Sequence, residues 1–275
     1  MSMFKDQTVW VTGASSGIGE ALSLALARQG ARLILSGRKV AELERVATAC
    51  GGGNRHTILP FDTTDYPALP GIVADAWDRA GGIDVLVNNA GVSQRSLALE
   101  TSLDVYRTLL EVDLYAPIAL SQLVLPRMVA RGGGRFITIA SVAGKIGAPM
   151  RSGYSAAKHG LYGYFDAIRA ETAAQGIKVH MVAPGSVKTN VSRNALTANG
   201  STRGTSDEAI EHGMPVAQAV RQMLDGIARG KRDILVAQGR ERLAVTMRRF
   251  WPEKAFDLIA DAVAKGYAQN MRVNR

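Results

Sequence analysis

The chain is short of the residues that usually announce a disulfide scaffold, a metal centre or a membrane protein. Its 275 residues include one cysteine and four histidines. Cys50 is followed by three glycines and has no internal partner, which excludes a disulfide framework and fits a reduced, cytoplasmic setting. His56, His159, His180 and His212 stand at no metal-ligand spacing such as H-E-x-x-H, so no metal site is expected. No apolar run reaches the ~18 residues of a membrane span. The opening MSMFKDQTVWVTG enters a strand pattern without the basic and apolar regions of a secretory signal. A net charge of +9 comes with no nucleic-acid motif, so it reads as a solvated basic surface and no nucleic-acid partner is expected. The G-x-x-x-x-G-K-[ST] loop of nucleoside triphosphatases is missing, and no serine sits in a G-x-S-x-G hydrolase elbow.

What is present is an alternation of short apolar runs with longer helical patterns. TVWVTG, ARLILSG, RHTILPFD, IDVLVNNAG, GGRFITIAS, GIKVHMVAPG and RDILVAQ read as seven strands. Between them lie helical stretches over 19–30, the KVAELERVATAC run, 66–80, 102–131, 154–175 and 207–229. Pro117 and Pro126 are expected to bend or fray the long fourth helix. Strand–helix alternation with fully apolar strands implies an α/β fold, a Rossmann-type doubly wound parallel sheet with helices on both faces. One domain spans 1–239. Residues 240–275 follow as a basic, amphipathic helical extension with eight Lys/Arg against four Asp/Glu.

TGASSGIG lies between the first strand and the first helix. Gly13, Gly17 and Gly19 follow a G-x-x-x-G-x-G spacing, which lets the backbone turn tightly and approach a pyrophosphate at a helix N-terminus. The end of the second strand reads Ser36-Gly37-Arg38-Lys39 and lacks the acid that would bind an unmodified adenosine ribose. Gly37 leaves room there, and Arg38 can stack on adenine and pair with a 2′-phosphate. The expected cofactor is therefore NADP(H) rather than NAD.

Five features occur in order: TGASSGIG, NNAG at 88–91, Ser141, YSAAK at 154–158, and APGSVKT at 183–189. Together they resemble the short-chain dehydrogenase/reductase family over roughly residues 7–236. The stretches EVDLYAPIALSQLVLPRM and GYSAAKHGLYGYFDAIRAE look most like its dehydrogenase/reductase member 7-like branch. The resemblance implies a sheet order of 3-2-1-4-5-6-7. Tyr154 and Lys158, at i and i+4, share a helix face, and an ammonium or a cationic nicotinamide beside a phenol stabilises its phenolate. By resemblance Tyr154 is the general acid/base, Lys158 also holds the nicotinamide ribose, and Ser141 polarises the carbonyl or alcohol. Ser15, Ser16 and Ile18 belong to the glycine loop. Asp62 resembles the adenine-amine acceptor, with Thr63 beside it. Asn89, Ala90 and Gly91 resemble the floor of the nicotinamide ribose, and Pro184, Gly185, Val187 and Thr189 the cradle of the carboxamide and pyrophosphate. Asn88 is read as structural.

One position departs from the family. Its fourth catalytic residue is an asparagine whose backbone carbonyl holds a relay water; here EVDLYAP places Asp113 there. The expectation is that the carbonyl persists and that Asp113 adds negative charge near Lys158. Residues 192–214 should form a polar lid, mobile before ligand binds. Residues 92–95 and 142–150 should line the pocket, with Lys145, Arg151 and Arg193 at a polar end. This composition suggests a medium or large lipophilic carbonyl or alcohol substrate. The extension is expected to close the pocket or dock a second subunit of a homo-oligomer, with weak contact between residues 241–275 and a membrane surface as the alternative. Two rival functions are a catalytically weak NADP-binding sensor or scaffold, and a sugar-nucleotide epimerase; the glycine spacing and short C-terminal region disfavour the second.

Overall fold

The computed structural model describes residues 2–52 and 55–267. Seven strands form one parallel sheet in the order β3-β2-β1-β4-β5-β6-β7. They are β1 Thr8–Thr12, β2 Arg32–Ser36, β3 His56–Ile58, β4 Val85–Asn88, β5 Gly134–Ile139, β6 Ile177–Pro184 and β7 Asp233–Val236. Alternate residues of each strand point to opposite faces, which explains why the strands are apolar throughout. Val9, Val11, Leu33, Leu35, Val85 and Val87 face one core, closed by α1 (Gly17–Arg28), α2 (Val40–Ala49) and α8 (Val216–Ala228). Trp10, Ile34, Leu86 and Phe136 face the other. That core is closed by α3 (Leu69–Ala80), α5 (Ala116–Ala130) and α6 (Ser152–Glu171).

Several element boundaries differ from the sequence reading. Residues 66–68 form turns, so α3 begins at Leu69. Helix α6 starts two residues earlier than expected, at Ser152, and ends at Glu171; Ala173–Gln175 follow as a short 3-10 turn. The stretch 207–229 is two helices, α7 (Glu208–Glu211) and α8, because Pro215 stops one and caps the other.

The long fourth helix runs from Leu103 to Ala130 and is, by length and composition, apolar enough to cross a bilayer, contrary to the expectation. Here it packs on the sheet through Leu120, Val124 and Met128, while Leu110 and Tyr115 add apolar character to its outer side. Its α-helical geometry is interrupted by a π-helical turn, Glu111–Tyr115, between α4 (Leu103–Leu110) and α5. Pro117 follows and has no N–H to give the carbonyl of Asp113, four residues back. Pro126 sits inside α5 without ending it.

Cys50 packs against the first core as a half-buried thiol, pushed up to about 11 by burial, which suits an inert side chain. After β7 come α9 (Gly239–Phe250) and α10 (Pro252–Ala264), packed mainly on each other. Of their residues only Ala255 is buried. Residues 268–275 of the extension, and Gly53 after Cys50, lie outside the described residues.

Candidate active site

The site forms where the carboxyl ends of β1, β4, β5 and β6 meet the start of α6. The glycine loop leaves β1 with Gly13 at φ 64° and Gly17 at φ 59°, both left-handed. A Cβ on Gly13 would lie 2.9 Å from Ala90 Cα, and one on Gly19 would collide with the carbonyl of Gly13. Ser16 is the N-cap residue of α1, but its side chain caps no N–H. Ile18 packs on the core, and Ser15 faces Gly37 at the end of β2. This close-backed turn at a helix N-terminus fits a dinucleotide pyrophosphate.

Asn89 braces that loop. Its amide donates to the carbonyls of Thr12 (3.0 Å) and Gly13 (3.1 Å). The N–H groups of Asn89 and Ala90 both donate to the Thr12 hydroxyl. Asn88, facing the other way, donates to Ser121 in α5. On the adenosine side, Arg38 and Asp62 come within 3.7 Å, both open to solvent. Burial pushes the Asp62 carboxyl up. The N–H and hydroxyl of Thr64 and the Arg38 guanidinium outweigh that and hold it below the ordinary carboxylate range. Thr63 lies beside it in the chain, between Asp62 and Thr64.

Ser141 lies two residues past β5 and caps a 3-10 turn, Val142–Gly144. Its Oγ accepts the N–H of Ala143 (3.1 Å) and donates to the carbonyl of Pro184 (3.4 Å). Tyr154 stands in the first turn of α6. That turn is positioned by Gln94, which is fully buried and accepts the N–H groups of Gly153 (2.9 Å) and Tyr154 (3.4 Å). Ala157 is buried where α6 packs down, while Ala156 is exposed and contributes nothing to that approach. One turn on, Lys158 Nζ lies 5.5 Å from the centre of the Tyr154 ring, 3.3 Å from the carbonyl of Ile139 and 3.0 Å from Asp113 Oδ1.

Asp113 and Lys158 are both buried. Asp113 Oδ2 also accepts the N–H of Val92 (3.2 Å), and Gly91 has no side chain because a Cβ there would strike the carboxylate. Burial alone would pull the ammonium of Lys158 down, but the Asp113 carboxylate and the Tyr154 phenol outweigh it and hold it above its ordinary range. The expected proximity of Asp113 to Lys158 is therefore present.

The cradle after β6 is ordered from several sides. Gly185 N–H donates to Val236, and Val187 is buried beside Met214. Thr189 reaches the glycine loop, 3.4 Å from where a Cβ on Gly17 would be.

The lid expectation needs correction. Residues 192–214 carry Asp207, whose carboxylate is buried and held by Arg95 (Nε 2.6 Å, Nη2 2.5 Å), by Arg203 and, at 3.6 Å, by Arg151. A segment stapled by a buried charge is not a free flap. Lys145 is diverted as well: it pairs with Asp233 at 2.6 Å and lies over the Tyr162 ring. Arg193 is exposed. Gln94 and Asp207 were the structural residues that sequence reasoning missed. The only available signal for the first was a polar island, Ser93–Ser96, in an otherwise apolar stretch.

The chain matches the short chain dehydrogenase family over residues 7–200. Dehydrogenase/reductase SDR family member 7B of Danio rerio is 37% identical over 268 residues, covering 95% of this chain and 87% of that protein. Dehydrogenase/reductase SDR family member 7 of Homo sapiens is 37% identical over 273 residues, covering 97% and 80%. Among solved structures, a short-chain dehydrogenase from Streptomyces avermitilis superposes with a TM-score of 0.79 at 27% identity, covering 96% of this chain and 99% of that one. A single-residue variant of actinorhodin polyketide ketoreductase, solved with NADPH, gives a TM-score of 0.63 at 33% identity over 69% of this chain and 74% of that one.

Proposed function

The chain belongs to the short-chain dehydrogenase/reductase family, in the member 7-like branch, and on that premise we propose that it is NADP(H)-dependent and interconverts a carbonyl and a secondary alcohol on a medium-to-large lipophilic substrate. Its family membership makes it an oxidoreductase that uses a nicotinamide dinucleotide. One observation carries the finer reading: the Lys158 ammonium lies 5.5 Å from the Tyr154 ring at the carboxyl edge of the sheet, on the helix against which the turn capped by Ser141 packs.

The dinucleotide, when bound, supplies or accepts the hydride. In reduction, Tyr154 gives its phenolic proton to the substrate oxygen, so a carbonyl gains a hydride and a proton; in oxidation Tyr154 takes that proton back. Ser141 donates a hydrogen bond to the same oxygen and orients it. Lys158, fixed by Asp113 and the carbonyl of Ile139, keeps a positive charge beneath the phenol. The carbonyl of Asp113, denied its usual helical donor by Pro117, suits a water that passes the proton onward. Arg38, two residues past β2, favours a 2′-phosphate because the stretch Ser36–Lys39 carries no acid, and a relative solved with NADPH is in keeping with that reading. A homo-oligomer in a cytoplasmic setting belongs to this reading, with the outward Leu103, Leu110 and Tyr115 of the long helix in support. Weak membrane-surface contact by the extension draws support from exposed Leu243, Phe250 and Trp251.

Turnover of NADPH and NADH with a panel of lipophilic ketones tests the proposal. NADPH should be preferred, and Tyr154→Phe should lose about a hundredfold in kcat or more while still binding NADPH. Binding without turnover, unchanged by Tyr154→Phe, would favour the sensor or scaffold instead.

A further inference from the structure

The extension makes a specific polar contact with the rest of the molecule, and that contact falls on the cofactor cradle. Glu241 lies in the first turn of α9. Its carboxylate accepts the N–H of Ser186 on both oxygens, each at 2.9 Å, and the Ser186 hydroxyl at 2.7 Å. The neighbouring residue is Gly185, where a Cβ would collide with the same carboxylate and lie 3.2 Å from Ala237 Cβ. The absence of a side chain at 185 therefore lets Glu241 reach Ser186.

Ser186 is a junction. Its carbonyl accepts the N–H of Met214 (2.8 Å), the last residue of the lid, and Lys188 N–H returns to the carbonyl of Met214 (2.9 Å). One residue before it, Gly185 is tied to β7; one before that, the carbonyl of Pro184 receives the Ser141 hydroxyl. Three residues after it, Thr189 touches the glycine loop. The lid, β7, the catalytic serine and the extension thus all hold one six-residue turn, and the only carboxylate among these ties is that of Glu241. A charged acceptor shared by a backbone N–H and a hydroxyl is stronger than a neutral one and fixes the turn's direction. α9 and α10 otherwise rest mainly on each other.

We propose that the C-terminal extension completes the cofactor site, with Glu241 as the positioning residue that clamps the Ser186 turn against the glycine loop. The inference rests on the reading that 184–189 cradle the dinucleotide. Without the clamp, Thr189 loses its fixed place against Gly17, and the dinucleotide must order the turn itself. The cost falls on cofactor binding rather than on the chemical step, because Tyr154 and Lys158 are held by other contacts and Ser141 keeps the N–H of Ala143 besides its tie to Pro184.

The test uses the full chain and NADPH. Binding is followed by NADPH fluorescence without substrate, and turnover is measured separately. Glu241→Ala should raise the NADPH Kd and KM about tenfold and leave kcat within about twofold. Glu241→Gln, which keeps an acceptor, should recover part of the loss. Ser186→Ala should weaken binding less, and combining it with Glu241→Ala should add little, since both remove one interaction. Thr189→Ala separates the two levels of the argument. If it leaves NADPH binding unchanged, the cradle reading itself fails. If Thr189→Ala weakens binding while folded Glu241→Ala and Glu241→Gln bind NADPH like the parent protein, Glu241 serves only to dock the extension and the proposal is overturned. Should Glu241→Ala fold poorly, the Glu241→Gln and Ser186→Ala pair carries the decision alone: normal binding in both overturns it.

Discussion

The two ends of the sheet hold their buried charges in different ways. At the carboxyl end, buried cations face carboxylates: Lys158 against Asp113, and Arg95, joined by the partly buried Arg203, against Asp207. At the amino end, Arg135 of β5 meets the neutral imidazole of His180 (2.7 Å), and the half-exposed Asp84 serves Arg131 and the N–H of Thr8. Full ion pairs in a buried setting are costly to assemble and rarely more stable than apolar packing of the same shape. Their concentration at the end where ligands bind therefore marks a requirement for fixed charge and fixed segments. The amino end needs only to tie strand starts together, and a neutral ring does that with less desolvation.

The comparison breaks hardest at Asp207. Asp207→Asn leaves the buried Arg95 without the carboxylate that holds it and should cost about 4 kcal/mol in urea or thermal unfolding. Residues 192–214 should become the first site of limited proteolysis. Burial raises the Asp207 carboxyl, but Arg95 and Arg203 outweigh it and hold it below its ordinary value. A depressed folded value means that this contribution is complete above about pH 4 and is lost only as the pH falls further. Replacing Arg95 and Asp207 together by Met and Leu should recover part of the loss, since the most deeply buried cation then goes with its carboxylate, while Arg151 and Arg203 stay.

The second break is at Asp113. Asp113→Asn keeps the shape and an acceptor for Val92, but leaves the Lys158 ammonium with only the carbonyl of Ile139. A cost of about 3 kcal/mol is expected, relieved by the further change Lys158→Met. The pH profile of turnover should shift as well. An unchanged profile and unchanged stability would make the carboxylate irrelevant, and an equally silent Asp113→Ala would leave the residue without a role.

These two sites also mark where the sequence was readable. Most of the seven strands were legible because they are apolar on both faces, and the glycine loop because only glycine tolerates its φ values and close contacts. The roles of Tyr154, Lys158 and Asp113 came from the family resemblance that their motifs carry, and the last two meet as expected. Arg95 and Asp207 were illegible as a pair: they are 112 residues apart, and each looks like an ordinary surface charge in its own stretch. Glu241 and Ser186, 55 apart, have the same character. The lid was misjudged for that reason, since Ser, Thr and Gly predict looseness while a single buried carboxylate overrides it. A helix limit slipped where a local feature beat periodicity, at Pro215, whereas the long helix kept its expected span and is disturbed just before Pro117.

The smallest expected effect lies at the amino end and concerns pH. His180 Nδ1 is 2.6 Å from the carbonyl of Lys231, so it carries the proton, and Nε2 must accept from Arg135. Protonating Nε2 would set an N–H against a guanidinium. Burial pushes the imidazole down, the Lys231 carbonyl pulls partly back, and Arg135 pushes it further, to about 4. Because the folded value lies below the ordinary ~6.5 of histidine, protons favour the unfolded chain. The contribution is complete above about pH 6.5 and fades as the pH falls toward 4. Unfolding midpoints taken from about pH 7.5 down to about pH 4.5 should fall more steeply for the parent than for His180→Gln, which can bridge the same two partners without titrating. Parallel curves would mean that the imidazole is not held neutral, and that the amino end tolerates a second buried charge after all.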